Sequence, residues 1–116
     1  MYVKNLWECE HFVSEGQPDV EYFLAIPEEM TLGLDLHGVK VGKPMKEHSH
    51  KHIEQIYYIR SGKGILKVGD EERVVGEDDV IYIPAGVPHA IRPAAGEKNL
   101  TYLFFSHYHE VHKKPE

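Results

Sequence analysis

The chain has 116 residues, 41% hydrophobic and 28% charged, and a formal net charge of −6 from 13 Lys+Arg against 19 Asp+Glu. This length supports one core and a single domain over residues 1–116, and the excess of acid argues against a nucleic-acid partner. No apolar run approaches the roughly 18 residues of a membrane span. The first ten residues lack the apolar centre of a signal peptide, and the single cysteine, Cys9, leaves no internal disulfide, so the expected location is the cytoplasm.

Residues 1–20 are mixed, with a turn cluster at Gly16-Gln17-Pro18-Asp19, and read as a short strand and a loop packed on the end of a barrel. Tyr22-Phe23-Leu24-Ala25-Ile26 has strand length and is closed by Pro27. Thr31-Leu32-Gly33-Leu34-Asp35-Leu36-His37 alternates strictly. That period predicts a half-buried strand with its leucines on one face. Asp35 and His37 share the other, which reads first as a solvated face and second as a carboxylate–imidazole pair near a site. Val39 and Val41 extend it past Gly38, where a bulge is expected.

Gly42-Lys43-Pro44-Met45 then leads to Glu47-His48-Ser49-His50-Lys51-His52. Alternate residues of an extended strand share a face, so His48 and His50 can aim two imidazoles at one point, and imidazole suits Zn, Cu, Fe and Ni. Further ligands cannot lie straight ahead, because Glu54 would sit about 20 Å from His48 at roughly 3.3 Å per residue. The chain must turn and return a third ligand on a neighbouring strand. Ile56-Tyr57-Tyr58-Ile59 is that strand, and its start offers Glu54 and Gln55. His52 reads as a flanking loop residue.

Beyond Ser61-Gly62, Gly64-Ile65-Leu66-Lys67-Val68 and Glu71-Glu72-Arg73-Val74-Val75 form a hairpin about Gly69-Asp70. Val80-Ile81-Tyr82-Ile83 is a further strand, followed by the tight loop Pro84-Ala85-Gly86-Val87-Pro88, by His89, and by the last strand, Leu100-Thr101-Tyr102-Leu103-Phe104-Phe105. The tail from Ser106 carries His107, His109 and His112 and reads as a solvated end. Many short strands with closely spaced turns, and no helix of ordinary length, predict an all-β sandwich or barrel.

Taken together, these segments resemble a cupin, a small jelly-roll barrel (double-stranded β-helix). The resemblance covers roughly residues 30–105. The first cupin motif is Gly, five residues, His-x-His, three or four residues, Glu, six residues, Gly. Gly42, His48-Ser49-His50 and Gly62 match it, with Gln55 in the place of Glu. The second is Gly, five residues, Pro-x-Gly, two residues, His, three residues, Asn. Pro84-Ala85-Gly86-Val87-Pro88-His89 matches its centre, but Gly76 lies two residues too far upstream and Pro93 stands where Asn is expected.

The resemblance implies that His48, His50, Gln55 and His89 converge on one divalent transition metal ion, whether Mn, Fe, Ni, Cu or Zn. Spacing to Gly62 favours Gln55 over Glu54. Because Gln55 is neutral, this ligand set leaves the ion's charge uncompensated and favours a small anionic ligand. Strand alternation places Tyr57 beside Gln55 on the cavity side, and Tyr57 and Tyr102 are the expected substrate-binding residues.

The expected function is a metalloenzyme acting on a small carboxylate or keto/sugar acid chelated to the ion. The alternatives are an Fe/Cu dioxygenase-type oxidoreductase and a non-catalytic binding or sensor module, because a jelly roll does not name a reaction. Exposed sheet edges lead to the expectation of a homodimer.

Overall fold

The computed structural model describes residues 1–14, 17–97 and 99–108. His109 and His112 of the tail lie outside these residues. Nine strands follow in order: β1 (His11–Ser14), β2 (Gln17–Ile26), β3 (Leu34–Val41), β4 (Ile53–Ser61), β5 (Gly64–Val68), β6 (Glu71–Val75), β7 (Val80–Ile83), β8 (His89–Pro93) and β9 (Leu100–Tyr108). The helical content of the described residues is two 3₁₀ turns, Leu6–Glu8 and Glu28–Met30.

The strands form a six-stranded sheet in the order β1-β2-β3-β9-β4-β7 and a three-stranded sheet in the order β6-β5-β8. Every strand pairing is antiparallel. This is the all-β architecture expected from the strand pattern and the jelly roll that the resemblance implies. The β5–β6 hairpin turns at Gly69-Asp70, with Val68 opposite Glu71.

The inner faces of the sheets make one core that includes Val39, Val41, Tyr57, Ile59, Ile83, Ile91, Leu100 and Tyr102, all buried. Alternation along β4 and β9 explains the choice of residues. Gln55, Tyr57 and Ile59 point inward from β4, and Leu100, Tyr102 and Ser106 are buried on β9.

The prediction for β3 has its two faces exchanged. Pairing with β9 runs without a break from Leu34 opposite His107 to Val41 opposite Leu100, so there is no bulge at Gly38. Asp35 and His37 therefore share the inner face with Val39 and Val41. Leu32 and Leu34 are exposed, at 99% and 42%. What Gly38 provides is close approach: a Cβ there would lie 2.9–3.0 Å from the Leu6 side chain of the first 3₁₀ turn. The same turn brings Trp7 edge-on to Phe23, with ring centroids 5.1 Å apart.

Two positions explain the glycine pattern of the motifs. Gly62 takes φ +84°, and a Cβ on it would stand 2.5 Å from the carbonyl oxygen of Asn99. In the second motif the left-handed backbone belongs to Asp78, at φ 68°, and not to Gly76. Asp78 stands at the motif's usual distance before Pro84, so the surplus of two residues vanishes.

Candidate functional site

The segment carrying His48 and His50 is clamped onto the start of β8. His48 and His89 exchange main-chain hydrogen bonds of 3.0 and 2.8 Å, Met45 N–H donates to Ile91 O at 3.0 Å, and Gly86 N–H donates to His50 O at 2.8 Å. The Gln17 side chain secures the approach: its Nε2 donates to Lys46 O and its Oε1 accepts from Lys46 N–H, both at 2.9 Å. These contacts bring both histidine motifs to one end of the barrel.

The ligating atoms available on His48, His50 and His89 lie within 4.8 Å of one another. His48 Nδ1 donates to Lys46 O at 3.0 Å, and His89 Nδ1 donates to Val87 O at 2.9 Å. A carbonyl only accepts, so both rings carry their proton on Nδ1 and leave the Nε2 lone pair free. His89 Nε2 is buried with no hydrogen-bond partner.

Burial lowers the His89 pKa to about 4, with smaller contributions from His48 and His50 in the same sense and an opposing one from the bond to Val87. His50 is also lowered, by burial and then by His48, while Asp35 pulls it upward. Burial thus favours the neutral form of His89 and His50, the form that binds metals.

The remaining predicted site residues also face this region. Gln55 is buried; its Nε2 donates to Ser106 Oγ at 2.9 Å, and its Oε1 has no partner. Its rival Glu54 is on the opposite face of β4, where it accepts from Tyr82 OH at 2.7 Å and from His107 Nδ1 at 3.2 Å. Tyr57 and Tyr102 stack with centroids 4.6 Å apart. Burial pushes both hydroxyls well above the usual phenol range. His52 is exposed in the turn before β4.

His48, His50, Gln55, Tyr57 and Tyr102, among others, line a cavity of about 500 Å³. That volume is within the range of small-ligand sites. The same cavity holds a second polar group made of Asp35, His37 and Tyr108; sequence reasoning ranks the Asp35–His37 pair near a site below a solvated face, and it misses Tyr108. Tyr108 OH donates to Asp35 Oδ2 at 2.8 Å, and His37 Nδ1 lies 3.5 Å from Asp35 Oδ1. The available signal was parity, because Asp35 and His37 are in phase with Val39 and Val41.

Residues 36–106 match the family model of the cupin domain. An uncharacterised protein of Methanocaldococcus jannaschii is 42% identical over 53 residues, which span 46% of this chain and 42% of that protein. An uncharacterised protein of Streptomyces coelicolor is 24% identical over 97 residues, 84% of this chain and 87% of that protein. Among solved structures, a predicted oxalate decarboxylase of Thermotoga maritima superposes with a TM-score of 0.81 at 21% identity, covering 91% of this chain and 98% of that one. The polyketide cyclase RemF of Streptomyces resistomycificus also gives a TM-score of 0.81, at 19% identity, covering 97% of this chain and 82% of that one.

Proposed function

Because the chain belongs to the cupin family, we propose that it is a metal-dependent enzyme acting on a small carboxylate or keto/sugar acid chelated to the ion. His48, His50 and His89 would hold one divalent transition metal through Nε2, with Gln55 Oε1 as the fourth donor. The observation that carries this reading is the buried, unpartnered Nε2 of His89 beside two further imidazoles. A buried acceptor without a donor is unfavourable by about 1–3 kcal/mol unless a ligand satisfies it.

When bound, the ion would act as a Lewis acid and polarise a substrate oxygen. The protein would supply the rest. Hydrogen bonds from His48 and His89 to main-chain carbonyls fix the tautomers. Ser106 turns the Gln55 carbonyl toward the cavity. The stacked phenols of Tyr57 and Tyr102 stay protonated and present hydrogen-bond donors. Four neutral donors leave the cation's charge uncompensated, which supports an anionic ligand.

An enzyme is favoured over a passive binding module by the second polar group at Asp35 and His37, since binding alone needs no such pair in an otherwise aromatic wall. One structural neighbour, a predicted oxalate decarboxylase, is named for a small carboxylate, which supports this substrate class.

Calorimetric titration of oxalate and 2-oxobutyrate into zinc-loaded and chelator-treated protein tests the reading. Binding that requires the metal supports it. Equal binding with and without metal, or none in either state, contradicts it.

A further inference from the structure

Asp35 has a side chain that is 6% exposed, with Oδ2 engaged by Tyr108 and Oδ1 without a hydrogen-bond partner. A buried carboxylate oxygen left this way is unfavourable unless a donor meets it during function. The nearest donor is His37 Nδ1, 3.5 Å away and itself unpartnered. The His37 ring is held by aromatic neighbours: it stacks on Phe104 with centroids 4.7 Å apart, and meets Phe12 and Tyr22 edge-on at 6.0 and 6.5 Å. With Nδ1 turned toward Asp35, Nε2 is the nitrogen left for a ligand.

The sheet places this pair relative to the histidine cluster. Asp35 is opposite Ser106 on β9, and Ser106 is opposite Gln55 on β4, so the three residues form one row across the inner face. Two inter-strand steps of about 4.8 Å separate Asp35 from Gln55. A ligand of a few heavy atoms, held at one end by the histidine cluster, would reach His37 with its other end.

We infer that His37 is the proton-transfer residue of this cavity and that Asp35 is the residue that positions it. This rests on the proposed metal-dependent reading and narrows the substrate to acids with a removable proton on the carbon next to the chelating carbonyl. His37 Nε2 takes that proton as the C–H electron pair forms the new C=C bond and the carbonyl π pair moves to oxygen. Asp35 stabilises the imidazolium through Nδ1–H, and return of a proton from His37 to the carbon regenerates the acid with no net oxidation. An apo distance of 3.5 Å accords with catalytic hydrogen bonds that tighten on ligand binding.

The probe is 2-oxobutyrate with zinc-loaded protein in D₂O, with binding followed by calorimetry and deuterium at C3 by NMR. The expected result is C3 exchange that falls at least about a hundredfold in His37→Gln and about tenfold in Asp35→Asn, with zinc content and 2-oxobutyrate affinity within about twofold of wild type. A second readout needs no metal: ¹⁵N spectra of chelator-treated protein should show His37 as the Nδ1–H tautomer, and Asp35→Asn should shift it toward a mixture. Binding without exchange, exchange unchanged in His37→Gln, or a tautomer indifferent to Asp35→Asn would each overturn the inference while leaving the metal reading intact. Failure of 2-oxobutyrate to bind while oxalate binds would overturn this inference alone, and failure of both acids to bind would remove the metal reading and this inference with it.

Discussion

His48 and His89, 41 positions apart in the chain, are bridged by two reciprocal main-chain hydrogen bonds, and their imidazole centroids are 4.3 Å apart. Because the backbone closes this contact, both rings have their place before any ligand arrives. Such preorganisation lowers the ordering cost of binding.

The opposite orientations of Gln55 and Glu54 give a direct comparison. Gln55→Ala removes the inward oxygen and should weaken metal retention by roughly tenfold or more. Glu54→Ala should leave retention unchanged, since this carboxylate serves Tyr82 and His107 on the outer face. Ser106→Ala should give a smaller loss than Gln55→Ala by freeing the amide to rotate. Competition with a chromophoric chelator would rank the three variants, and a larger effect from Glu54→Ala would reverse the assignment.

The lowered pKa of His89 makes a claim about the metal-free protein. Its folded value of about 4 is below the ordinary histidine value of 6.5. As pH falls through 6.5, the unfolded chain takes up a proton that the folded chain refuses, so stability is lost progressively until about pH 4 and no further below it. His50 adds to the slope in the same direction. Thermal unfolding of chelator-treated protein between pH 7.5 and 4.5 should show a steeper decline for wild type than for His89→Gln. Parallel curves would contradict the buried, neutral state of His89.

Gly62 carries both a left-handed backbone and a tight contact. In Gly62→Ala the new Cβ would press on the Asn99 carbonyl, 2.5 Å away at φ +84°, at a cost of about 1–3 kcal/mol. The thermal midpoint should drop by several degrees, as judged by circular dichroism. Gly42→Ala, which meets nothing within 4 Å, should be close to neutral although it opens the same motif.

The outer face of β4 and β7 exposes Ile56, Tyr58, Val80 and Tyr82, with Ile56 opposite Tyr82 and Tyr58 opposite Val80. We expect a second copy of the chain to cover this face in a homodimer. Sedimentation should give twice the chain mass for wild type and a shift toward monomer for Val80→Glu. A wild-type monomer at tens of micromolar would contradict this.

Much of the architecture was legible because the controlling signals are local. Alternation placed Gln55, Tyr57 and Ile59 inside, Gly69-Asp70 marked the hairpin, and the two histidine motifs indicated which segments meet. β3 was misread because Leu32, Leu34 and Leu36 carry the stronger apolar signal in isolation. Their fate is set by tertiary pairing, since β9 opposes the strand without a bulge and turns Asp35 and His37 inward. In the second polar group the Asp35–His37 pair was visible as a lesser reading, but Tyr108 was hidden because it joins from beyond the predicted end of β9. Asp78 shows a related limit, because a left-handed conformation at a non-glycine residue leaves little trace in the residue type.

The convergence of His48, His50 and His89 on one ion is tested most directly by elemental analysis of protein purified without added metal. Wild type should carry about one divalent transition metal ion per chain, while His48→Ala and His89→Ala should be nearly metal-free yet retain a β-sheet circular dichroism spectrum. A metal-free wild type that also takes up none when offered Mn, Fe, Ni, Cu or Zn, or full occupancy in both folded variants, would contradict the account.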